Sequence, residues 1–127
     1  MTRFAADTAS GRRDLFVDAI AAHQTRDSAF LTIEAAITGD ELTPWLQYAD
    51  GTLNLDCTED ELDRLKSLLE SYDAFTIDDL TRPEDAEGAN VRIAARIDPE
   101  RVAEFVDDAF CTVYEQPDDY TAWVTQI

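Results

Sequence analysis

The stretch Trp45-Leu46-Gln47-Tyr48-Ala49-Asp50-Gly51-Thr52-Leu53-Asn54-Leu55-Asp56-Cys57 decides the fold class. Asp-Gly between two alternating segments signals a type I′ hairpin, because both turn residues must take positive φ. With Asp50 and Gly51 as the loop, Ala49 faces Thr52, Tyr48 faces Leu53 and Leu46 faces Leu55. Side chains alternate along a strand. Leu46, Tyr48, Leu53 and Leu55 therefore share one side, and Trp45, Gln47, Asn54 and Asp56 the other. Directly behind the hairpin, Thr58-Glu59-Asp60-Glu61 reads as a capping box: the Thr58 hydroxyl accepts from the Glu61 amide, and the Glu61 carboxylate accepts from the Thr58 amide. The helix it opens carries Leu62, Leu65, Leu68, Leu69 and Tyr72 on one stripe. A hairpin feeding straight into a capped amphipathic helix predicts an α+β domain.

Upstream, residues 1–11 are polar, close on Gly11 and read as a loosely held arm. From residue 14 to about 24, Leu15, Phe16, Ala19, Ile20 and Ala22 follow the helical period. Leu31, Ile33, Ala35 and Ile37 alternate with Thr32, Glu34 and Ala36, as in a half-buried strand. Downstream, Phe75 to Asp78 reads as a strand and residues 81–88 as a polar loop. Val91, Ile93, Ala95 and Ile97 alternate, with Arg92 and Arg96 pointing the other way. Asp98-Pro99 starts a helix with an N-cap and proline at its first position; Val102, Phe105, Val106, Ala109 and Val113 form its apolar face. After Pro117, Asp118 can cap a short helix with Tyr120, Trp123, Val124 and Ile127 at helical spacing. The predicted order is α-β-β-β-α-β-β-α plus a short C-terminal helix. That order gives a mostly antiparallel five-stranded sheet with helices packed on one face, in a single domain over 1–127. Thr32-Ile33-Glu34 and Thr76-Ile77-Asp78 echo each other, a faint sign of internal duplication.

Composition bounds the working environment. The 127 residues hold 28 Asp plus Glu against 10 Lys plus Arg, a formal charge of −18, and Lys66 is the only lysine. Loss of Lys with Arg kept, and Asp outnumbering Glu, resembles small acidic proteins of haloarchaea. The resemblance implies a cytosol of molar salt, where a Debye length of about 3 Å screens the self-repulsion. At 45% hydrophobic, with periodic apolar positions, the chain is no disordered acidic tail. No apolar run spans a bilayer, and Met1-Thr2-Arg3-Phe4 lacks the build of a signal peptide; a cytoplasmic protein without a membrane partner is expected. Nucleic acid is disfavoured, since only Arg12-Arg13 and Arg92 with Arg96 approach a basic patch. The element order over residues 14–114 also resembles the secretion-chaperone-like fold. That likeness implies a dimeric module holding extended client segments.

Candidate chemistry is sparse. His23, the only histidine, falls on the apolar stripe of the first helix. It reads first as a histidine at the rim of the core, and second as a ligand-pocket residue or a general base. No serine sits in a nucleophile motif. The acids Asp56, Glu59, Asp60, Glu61 and Asp63 lack the spacing of a calcium loop and suit a solvated helix start. Cys57 and Cys111 with one histidine do not make a zinc site. Cys57 should be buried, and Cys111 should lie off the main core. No catalytic residue, metal or cofactor is therefore assigned. The outer sheet face stands out, carrying Phe30, Thr32, Glu34, Trp45, Gln47, Asn54, Asp56, Thr76, Asp78, Arg92 and Arg96. Its aromatics and arginines are types favoured at interfaces. The expectation is a non-enzymatic protein-binding module, a dimeric adaptor or chaperone-like protein, with Phe30, Trp45, Gln47, Arg92 and Arg96 at the interface. The alternatives are a small-ligand or regulatory domain with a pocket near His23, and an enzyme using His23 with a carboxylate.

Overall fold

The computed structural model describes residues 3–26, 31–36, 45–49, 51–82, 84, 88–95, 98–116, 118 and 120–126, and of residues 3, 4, 23–26, 36, 125 and 126 the backbone alone. The elements run β1 (Arg3–Ala6), α1 (Ala9–Arg26), β2 (Leu31–Ala36), β3 (Trp45–Ala49), β4 (Thr52–Cys57), α2 (Glu59–Leu69), β5 (Thr76–Thr81), β6 (Ala89–Ala94), α3 (Pro99–Thr112) and β7 (Thr121–Gln126). The strands form one sheet in the order β1-β7-β2-β3-β4-β6-β5, with every neighbouring pair antiparallel.

The central hairpin forms in the register its sequence dictates: Ala49 opposite Thr52, Tyr48 opposite Leu53 and Gln47 opposite Asn54. Gly51 takes φ 74°, as the turn requires; Asp50 lies outside the described residues. The capping box closes α2, with Thr58 N donating to Glu61 Oε1 at 2.8 Å and Glu61 N to Thr58 Oγ1 at 3.2 Å. Asp98 caps α3 by accepting from Arg101 N at 3.0 Å.

Both ends of the chain correct the sequence expectation. Arg3–Ala6, expected within a loose arm, is an edge strand paired with β7. Thr8 then caps α1: Gly11 N donates to its Oγ1 at 3.0 Å and Arg12 N to its carbonyl at 2.8 Å. The C-terminal segment, expected to be a helix, is β7. Ala122 and Val124 are buried with Trp123 half-exposed between them, the alternation of a strand. Strand wins over helix because β7 runs between β1 and β2 and supplies both with hydrogen-bond partners. The sheet accordingly has seven strands rather than five, and the helices number three among the described residues.

Two split units organise the topology. In β1-α1-β2 the two strands flank β7, and in β4-α2-β5 they flank β6. Thr32-Ile33-Glu34 and Thr76-Ile77-Asp78 lie on β2 and β5, which hold matching places in those units. Helix α3 links β6 to β7 across three intervening strands and packs mainly against α1, more lightly against α2. This central seat explains why burial on α3 exceeds the stripe read from sequence. Val102, Phe105, Val106, Ala109 and Val113 are buried, and so are Ala103, Asp107 and Phe110. At the end of α2, Tyr72 meets Phe75 and Phe105 edge-on, with centroids 5.5 and 5.2 Å apart, and Phe75 stacks on Phe105 at 4.7 Å. Such pairs contribute about 0.5–1.5 kcal/mol each beyond their burial.

Candidate protein-binding face

The inner side of the sheet is fully apolar: Leu31, Ile33, Leu46, Leu53, Leu55, Val91, Ile93, Ala122 and Val124 are all inaccessible. Strand alternation puts the remaining residues on the opposite side, where half-buried and exposed positions prevail. Register lines them up in rows. Glu34 of β2 pairs with Trp45 of β3 on one flank and Trp123 of β7 on the other, so the carboxylate stands between two indoles. Directly opposed side chains lie about 4.5–5.5 Å apart at Cβ, close enough to form one continuous patch. All three are half-buried.

The next row holds Thr32, Gln47, Asn54, Arg92 and Asp79 across β2, β3, β4, β6 and β5. Beside it, Ala49, Thr52 and Ala94 are aligned. Short side chains next to long ones open a groove of about 270 Å³ lined by Gln47, Ala49, Thr52, Asn54 and Arg92. Hydrogen bonding fixes its polarity. Asn90 Nδ2 donates to Asp56 Oδ1 at 3.0 Å, and a carboxylate only accepts, so the amino group of Asn90 must face that way. The same group donates to Asn54 Oδ1 at 2.8 Å, which turns the Asn54 amino group away from Asn90. Asp79 turns back to accept from Leu80 N at 2.9 Å. Arg92, although opposite Asp79 in register, makes no ion pair among the described residues. The groove is thus rich in donors within a strongly acidic chain.

The remaining charged contacts belong to the frame. Arg12 is 1% exposed. Its Nε donates to Asp107 Oδ1 at 2.9 Å, Nη1 to Tyr120 O at 2.9 Å and Nη2 to Asp118 O at 2.8 Å. The Tyr120 hydroxyl donates to the same Asp107 oxygen at 2.8 Å, and the guanidinium lies 4.0 Å from that ring's centroid. Burial opposes the charge on Arg12, yet the bond and charge of Asp107 hold its pKa above the ordinary value. Burial, reinforced by Asp107, pushes the Tyr120 hydroxyl up as well. Tyr72 donates to Asp108, and Arg101 sits 4.7 Å over the Tyr72 ring. Cys57 is buried, and its thiol is pushed up to about 12 by desolvation and by Glu61. Cys111, expected off the main core, is partly buried and packs against its edge.

Of the residues expected at an interface, Trp45, Gln47 and Arg92 share the outer face, with Gln47 and Arg92 lining one groove. Phe30 and Arg96 lie outside the described residues, as does the side chain of His23, whose backbone is in α1. Arg12, grouped by sequence with Arg13 as a basic patch, is buried while Arg13 is exposed. Sequence reasoning missed Trp123 on the outer face, because the segment was read with a helical period. The alternation Thr121, Trp123, Thr125 against Ala122 and Val124 was the signal that would have placed it. Among the described residues, no helix is long and apolar enough to cross a membrane, and no group of three His, Cys, Asp or Glu residues is arranged to hold a metal ion.

A family model described as "Family of unknown function (DUF7975)" matches residues 1–127. No curated protein and no solved structure matches the chain.

Proposed function

Since the chain belongs to that family, whose description carries no activity, we propose its function from its own surface: a non-enzymatic protein-binding module, a homodimeric adaptor or chaperone-like protein of a salt-rich cytosol, working through the outer face of its sheet. The observation that carries this reading is the Trp123–Glu34–Trp45 row on the side opposite the core. An aromatic side chain buries about 150–250 Å² when covered. Indoles in the intermediate burial range of Trp45 and Trp123 keep at most about a third of that, worth on the order of 1–2 kcal/mol each at about 25 cal/mol per Å². Seven strands about 4.8 Å apart and about 17–20 Å long make a plane on the order of 500–600 Å², enlarged by side-chain relief. That is comparable with the roughly 800 Å² each partner gives to a standard interface.

Sedimentation in molar KCl tests the reading. The wild type should run as a dimer, and Trp45→Ala should run as a monomer with nearly unchanged circular dichroism, because Trp45 points away from the core. A monomeric wild type, or a variant that stays dimeric, would overturn it.

A further inference from the structure

Among the described residues the same face carries a carboxylate and a guanidinium that have no ion-pair partner, and the two lie too far apart to satisfy each other within one chain. Glu34 is half-buried between Trp45 and Trp123 and has no hydrogen-bond or ion-pair partner among the described residues. The arginines at 12, 64, 82 and 101 are committed to Asp107, Glu115, Glu59 and Glu104. Arg92 has no such partner among the described residues and borders the donor-rich groove. Strands β3 and β4 separate β2 from β6. Three strand spacings put about 14 Å of sheet between Glu34 and Arg92, with Trp45, Gln47 and Asn54 in between.

Resting on the docking face proposed above, we infer that its occupant is a second copy of this chain, seated so that Glu34 of each protomer enters the other's Arg92 groove. In a two-fold contact, if residue i of one copy meets residue j of the other, then j also meets i. One face bearing a negative and a positive group that form no ion pair among the described residues can therefore be complementary to itself, and a single seating satisfies both groups twice. The groove's chemistry suits the incoming group. Arg92 and the Asn54 amino group donate, and a carboxylate accepts up to four hydrogen bonds. Molar salt screens charges exposed to solvent, but a pair enclosed between two sheets is screened much less. The contact therefore remains selective in the medium that suppresses the chain's overall repulsion.

Charge reversal gives a test that only reciprocal pairing passes. Glu34→Arg alone places arginine against arginine at both contacts, and Arg92→Glu alone places glutamate against glutamate. Each should dimerise at least tenfold more weakly than wild type in molar KCl. Mixed one to one, the two variants should form a heterodimer, because each pairing then has opposite charges; sedimentation of the mixture with one variant fluorescently labelled reads this out. A wild type that dimerises and is dissociated by Trp45→Ala, combined with a mixture that stays monomeric, overturns the pairing and leaves the face standing. A wild type that is monomeric throughout overturns both. Neutral variants guard against charge reversal disturbing the fold. Glu34→Gln and Arg92→Gln should weaken the dimer non-additively, the double variant losing little more than either single one. Additive losses would overturn the pairing.

Discussion

A guanidinium at 1% exposure survives in a core only if its donors are met, and Arg12 meets them with Asp107, Tyr120 O and Asp118 O. The arrangement ties the start of β7 to α1 and α3, so one side chain sets where the last strand begins. Removing the counter-charge should be severe. Asp107→Asn leaves a buried unpaired charge and is expected to cost about 3–5 kcal/mol. Tyr120→Phe removes one bond to a carboxylate that keeps its arginine, and should cost about 1.5–3 kcal/mol. Urea unfolding in molar KCl checks the order; an Asp107→Asn loss no larger than that of Tyr120→Phe would refute the role given to the charge. Little of this was legible beforehand. Arg12 does stand four residues before Phe16 and eight before Ile20, on the buried stripe of α1. Without Thr8 as the cap, though, the helical period reads only from residue 14, after Arg12. Its partner Asp107 lies 95 residues away, and no local pattern announces so distant a bond.

At the scale of elements, what could be read was what local chemistry decides. The β3–β4 hairpin follows from Asp50-Gly51, α2 from its capping box and α3 from Asp98-Pro99. Strand β7 escaped because Tyr120, Trp123, Val124 and Ile127 fit a helical period as well as a strand. The decision was made by β1 and β2, which flank it. The outer-face positions on β3 and β6 were legible through alternation, whereas Trp123 required the right period for β7. Strand β6 depends on a further local device. Gly88 takes φ 102°, and a Cβ there would lie 2.3 Å from the Cys57 carbonyl oxygen. The loop entering β6 passes the end of β4 at a distance only glycine allows. Gly88→Ala should therefore cost at least about 1–3 kcal/mol through backbone strain alone, with further loss from the close approach to Cys57. A thermal midpoint equal to wild type would show that the loop can rearrange freely.

For the whole molecule the governing quantity is charge. Among the described carboxylates Asp107 alone is buried, and four arginines form ion pairs among the described residues. Repulsion among the rest favours the expanded chain until salt screens it. Thermal unfolding followed from dilute buffer to molar KCl should show the midpoint rising steeply; a midpoint independent of salt would remove the salt-adapted reading. The composition made that expectation legible, while the seven-stranded sheet was not, since both strands missing from the sequence reading lie at the chain's ends. Their placement has a further consequence, in time rather than in space. Arg3 pairs with Thr125 and Ala6 with Ala122, so β1 has no neighbour in the described sheet until β7 has been made. Contacts so distant along the chain close slowly. While β7 is still unmade, β2 therefore keeps an open edge, and covering that edge waits on a pairing between segments far apart along the chain.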